Sequence, residues 1–77
     1  PAEEVRDTLL GHLQALYSFY DDYLGIRIAR KHVGWYLKDK QGANEFRKEF
    51  NRLEETELQQ SSIRDYFSTL SQIEAAA

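Results

Sequence analysis

Apolar residues step through the first twenty positions at intervals of three and four: Val5, Leu9, Leu13, Leu16, Tyr17 and Tyr20. That period predicts an amphipathic helix over about residues 3–20, and Pro1 followed by Glu3 and Glu4 suits its first turn. Asp21 to Gly25 reads as a turn, with Tyr23, Leu24 and Gly25 packing across it. The period then returns over about residues 26–39. At about 100° per residue, Ile26, Ala29, Val33, Tyr36 and Leu37 share one apolar arc. Arg27, Arg30, Lys31, Gly34 and Lys38 share the opposite arc, with Ile28 and Trp35 on a flank between the two. Gly34 costs roughly 1 kcal/mol relative to alanine inside a helix. In exchange it leaves a flat place among long cations where a backbone could approach closely.

Gln41–Gly42 closes this second helix, with Lys38 and Lys40 in a last turn that favours cations. Asn44 is the expected N-cap of a third helix reaching about Glu55, its face marked by Phe46, Phe50 and Leu53. Thr56-Glu57-Leu58-Gln59 has the form of a capping box and opens a fourth helix. Ile63, Tyr66, Phe67, Leu70 and Ile73 make the stripe of that helix, and Ala75–Ala77 is expected to fray. Four helices joined by loops of about two to five residues predict an all-α fold, a small antiparallel four-helix bundle forming one domain over residues 1–77.

Composition sharpens this picture by exclusion. At 77 residues the chain is near the lower limit for an unaided core, yet with 42% apolar residues it can build one. It has no cysteine, so disulfides, a thiolate nucleophile and cysteine-based metal sites are excluded. No apolar run approaches the roughly 18 residues of a membrane span, and no signal-peptide pattern opens the chain, which gives a cytoplasmic reading. The chain begins at Pro1 and has no methionine. The expectation is a processed product or an excised domain of a longer protein.

Charge changes the picture more. Residues 1–25 set Arg6 against five acids (net −4), and residues 53–77 set Arg64 against five more (net −4). Between them, residues 26–52 carry eight cations against three acids (net +5). The overall charge of −3 therefore conceals a basic middle between acidic ends, a distribution that points to a polyanionic partner.

Catalytic and metal chemistry find little support. His12 and His32 are the only histidines, neither has a second ligand at helical spacing, and a site built from them with Asp21 or Asp22 is disfavoured. The acids Glu54, Glu55 and Glu57 read as solvated rather than as a paired acid and base in a cleft. There is no GxSxG serine and no glycine-rich phosphate loop, so this chain by itself is not read as an enzyme. The basic stripe keeps two readings. It is a solvated face laced with ion pairs, or a surface for RNA phosphates with Trp35 stacking on a base or covering a sugar. A stripe that meets an acidic protein partner or a neighbouring catalytic domain is the alternative to RNA.

The stretch LQALYSFYDDYLGIRIARKHVGWYLK, followed by FRKEFNRLEE and YFSTL, resembles the C-terminal part of bacterial tRNA-dihydrouridine synthases of the B-type subfamily. The resemblance runs from about Leu13 to Leu70, and its most specific segment is Arg27-Ile28-Ala29-Arg30-Lys31-His32-Val33 with Trp35-Tyr36. It implies a tRNA-binding helical domain attached to an N-terminal TIM barrel. In that family the barrel holds FMN and reduces a D-loop uridine with NADPH. By the same resemblance, Arg27, Arg30, Lys31 and Lys38 are expected to face tRNA phosphates, with Arg47 and Lys48 as a second row. No cofactor or metal is expected within this chain; FMN belongs to the barrel. Asp21, Leu24, Ile26 and Gly34 depart from the family's usual residues at those positions.

Overall fold

The computed structural model describes residues 1–76, so Ala77, the end of the tail expected to fray, lies outside the described residues. It contains α1 (Ala2–Phe19), α2 (Asp22–Tyr36), α3 (Ala43–Phe50) and α4 (Thr56–Ala76), and no strand among the described residues. The all-α expectation holds.

Side-chain pairs fix how the helices run. Tyr17 meets Gln59 near one end of α1 and Glu3 meets Ser71 near the other, so α1 and α4 are antiparallel. The same reversal relates α1 to α2 through Gly25 beside Leu16 and His32 beside His12. It relates α2 to α3 through Gly34–Arg47 and Arg30–Leu53. The four helices therefore run up and down in turn. The long stripes of α1, α2 and α4 close over Leu9, Leu13, Ala29, Val33, Leu37, Ile63, Phe67 and Leu70, with Phe50 of α3 completing the core. No helix among the described residues is long and apolar enough to cross a membrane.

Helix boundaries differ from the sequence reading where a cap was misplaced. Asp21 is the N-cap of α2: its Oδ1 accepts from the Leu24 amide at 2.8 Å. The supposed turn over residues 21–25 is thus the first turn of a helix. As a result Tyr23 and Leu24 are exposed rather than packed across a turn. The helix also stops at Tyr36, three residues short of the expected end. Gly42, at φ 73°, supplies the left-handed residue that turns the chain into α3 and stands as its N-cap, displacing Asn44 from that role. The third helix ends at Phe50, well before Glu55, because residues 51–53 tighten into turns with Arg52 and Leu53 amides bonded three residues back.

The capping box is the clearest correction. Thr56 is already helical, and the Gln59 side chain does not reach back to cap the helix. It lies fully buried, accepting from the Tyr17 hydroxyl at 2.6 Å and donating to the Ile26 carbonyl at 3.2 Å. One amide thereby joins three helices.

Candidate nucleic-acid interface

Because α2 begins at Asp22, four side chains fall in step along its outer surface: Tyr23, Arg27, Lys31 and Trp35. Each step of four residues advances roughly 6 Å and turns about 40°, so the row winds slowly over roughly 18 Å. All four are exposed, Tyr23 at 72% and Trp35 at 61%. The Arg27 guanidinium lies 5.4 Å from the centre of the Tyr23 ring, and Lys31 Nζ lies 5.4 Å from the centre of the Trp35 ring. Lys38 extends the positive surface beyond the end of the helix.

Among the described residues the ion pairs are Arg6–Asp7 at 2.9 Å and Lys48–Glu45 at 3.5 Å. Neither involves α2. No ion pair among the described residues laces this helix, and its outward cations Arg27 and Lys31 stand in solvent.

The structure divides the remaining expected contacts. Arg30 is half-buried and its Nη2 donates to the Leu53 carbonyl at 3.1 Å, which holds the α3–α4 connection against α2. Arg47 is half-buried as well, because its guanidinium lies on the bare backbone of Gly34; a Cβ at that position would come within 2.9 Å of Nη2. The flat place at Gly34 is thus filled from inside the molecule, and Gly34 is buried rather than part of an open stripe. The Nε atoms of Arg30 and Arg47 are buried and make no hydrogen bond. Lys48 stays on the surface beside Glu45. Arg27, Lys31, Lys38 and Trp35 are the members of the expected set that face solvent freely. A notch of about 260 Å³ next to Arg27 and Arg30 also holds Asp22 and Glu54, so it is electrically mixed.

Sequence reasoning missed two features of this surface. Tyr23 was hidden by the mistaken turn, although its four-residue spacing to Arg27 was visible. The second is a pair twenty residues apart: His12 Nε2 and His32 Nδ1 approach to 2.7 Å between α1 and α2. His32 also packs against Trp35, their ring centres 4.9 Å apart. Burial, His12 and the neighbouring Lys31 all push the His32 pKa below its ordinary value.

The sign of the consequence follows from linkage. A histidine with a depressed folded pKa contributes stability above its unfolded value of about 6.5, and that stability is lost as pH falls through the folded value. The thermal midpoint is therefore expected to drop as the pH falls below about 6.5. The drop should be visibly smaller in His32→Gln, and equal slopes in the two proteins would dismiss His32 as its source.

No cluster of three or more histidine and carboxylate side chains among the described residues could hold a metal ion. The cleft between α3 and α4 does not suit a flavin. It is open, has Glu49 and Asp65 among its lining residues, and is lined by no basic side chain that could hold a flavin phosphate.

The family model for dihydrouridine synthases matches residues 1–72, and the chain belongs to that family. Among its relatives, the tRNA-dihydrouridine synthase B of Vibrio vulnificus is 53% identical over 70 residues, covering 91% of this chain and 22% of the relative. That of Pseudomonas syringae pv. tomato is 58% identical over 67 residues, covering 87% and 20%. That of Xanthomonas campestris pv. campestris is 56% identical over 66 residues, covering 86% and 20%. The chain spans about a fifth of the length of the curated relatives it matches.

Proposed function

We propose that this chain is the tRNA-binding domain of a flavin-dependent tRNA-dihydrouridine synthase. In this reading it holds tRNA so that a D-loop uridine reaches the FMN of an N-terminal TIM barrel in the cytoplasm. The observation that carries the reading is the row of outward cations on α2 without carboxylate partners. Family membership supplies the substrate class. No residue here is assigned to the flavin, which when bound to the barrel would pass to uridine the hydride it takes from NADPH. The contribution of this chain is electrostatic and geometric: Arg27, Lys31 and Lys38 meet phosphates, and the acidic segments on either side discourage other docking positions.

A second surface supports the barrel as a partner. Phe19 is 81% exposed, and with His12, Ala15, Leu16 and Tyr20 it lines a shallow, mainly apolar hollow along α1. This suits packing against another domain, and it is separate from the alternative in which the basic stripe of α2 itself meets an acidic partner or the barrel.

Arg27→Ala combined with Lys31→Ala is expected to weaken tRNA binding about tenfold at low salt and to reduce the slope of log K against log salt by about 2. Helicity by circular dichroism should not change, since both side chains are exposed. Anisotropy titrations at several salt concentrations check this, and an unaltered slope would remove the α2 row from the interface.

A further inference from the structure

Trp35 is the only tryptophan of the chain and its largest side chain, yet the core leaves it 61% exposed. Exposure of a single aromatic is ordinary by itself; what sets this one apart is its place in the row of outward cations on α2. The ring is also held in place. Lys31 lies 5.4 Å from its centre, one turn earlier on the same helix. His32 packs at 4.9 Å with its plane tilted by 57°, and His32 is itself braced by the 2.7 Å contact to His12 on α1. The ring is therefore supported from two helices while much of its surface stays open.

We propose that Trp35 is a stacking platform for an unpaired nucleobase, with Lys31 and Arg27 aligning the flanking phosphates and the His12–His32 pair positioning the ring. The inference rests on the RNA reading of α2 and adds the class of RNA that fits. A base inside an A-form duplex is closed on both faces by its neighbours and cannot stack on a side chain, whereas a loop or bulge base can. Single-strand binders combine cations that track the backbone with aromatic rings on which bases stack, and here Lys31 and Trp35 stand side by side on one helix. An acidic peptide would find the same cations but gives no account of the supported indole. Tyr23, 72% exposed beside Arg27, repeats the arrangement at the other end of the row.

The 77-residue chain carries its own probe, since all tryptophan emission comes from Trp35. The chain would be titrated with an RNA hairpin that has an unpaired loop, with a blunt RNA duplex of equal phosphate number, and with poly-glutamate. Trp35→Ala and Trp35→Tyr would be measured in parallel by anisotropy of labelled RNA. The hairpin should quench the emission. Trp35→Ala should lose about tenfold affinity for the hairpin and little for the duplex, and Trp35→Tyr should recover most of the loss. Hairpin binding with unchanged emission and full affinity in Trp35→Ala overturns the stacking site while leaving the cationic face standing. Binding of neither RNA, or of poly-glutamate in their place, overturns the RNA reading and this inference with it.

Discussion

Replacing Phe50 by alanine is expected to remove about 3–5 kcal/mol of stability. A 77-residue domain has roughly 4–11 kcal/mol in total, so the variant should be close to unfolding at 25 °C. The effect is large because α3 has eight residues and cannot persist alone; a helix that short is marginal in water whatever its sequence. It is held by what it buries, and Phe50 is its fully buried anchor, stacked beside Phe46 at 5.6 Å. Phe46, half-buried against Tyr66, should cost distinctly less when truncated. Urea midpoints of the two variants decide the matter, and equal midpoints would mean that α3 is not seated through Phe50. The seating also bears on the interface, because α3 delivers Arg47 onto Gly34 and so closes one side of α2.

The second large effect is expected at Gln59. Its amide takes a hydrogen bond from Tyr17 and gives one to Ile26, with no exposure to water. Burial, with Asp22 adding to it, pushes the Tyr17 phenol up to about 12, so it remains a donor across the ordinary pH range. Gln59→Leu preserves volume but strips the Tyr17 hydroxyl of its acceptor and should cost about 1–3 kcal/mol. Gln59→Glu is nearly isosteric and should cost more at pH 7. One carboxylate oxygen would face the Ile26 carbonyl oxygen, and a buried charge is disfavoured unless it is paired. Its carboxyl pKa should rise, so Gln59→Glu should regain stability on acidification towards pH 5 while Gln59→Leu should not. Denaturation midpoints at the two pH values test this. Parallel behaviour of the variants would show that the site is wet. A loosened Gln59 would also free the first turns of α2, and with them Tyr23 and Arg27.

Much of the fold was legible in the sequence because the helical period was clear. Leu9, Leu13, Val33, Leu37, Ile63 and Phe67 stand on the expected stripes, and all are buried. What failed was local and polar. Asp21 was read as part of a turn although it caps α2, and that single error hid Tyr23 from the row it begins. Gln59 fitted a capping motif whose geometry competes with a core position, and the core position prevailed because Tyr17 and Ile26 offered it partners. In the candidate site, Arg27, Lys31 and Lys38 lie outward as the wheel placed them and Trp35 is exposed from the flank it was given, whereas Arg30 and Arg47 were drawn inward.

The sequence by itself determined the four helices, the apolar residues that face the core, the basic segment between acidic ends and the family. Each of these depends on residues close together along the chain, or on the chain read as a whole. Only the tertiary structure decided where the polar ends of long side chains come to rest. A helical wheel gives the direction of Arg30, Arg47, Gln59 or His32, but not what waits there. Their partners Leu53, Gly34, Tyr17 and His12 lie 13 to 42 residues away and become neighbours only once the helices pack.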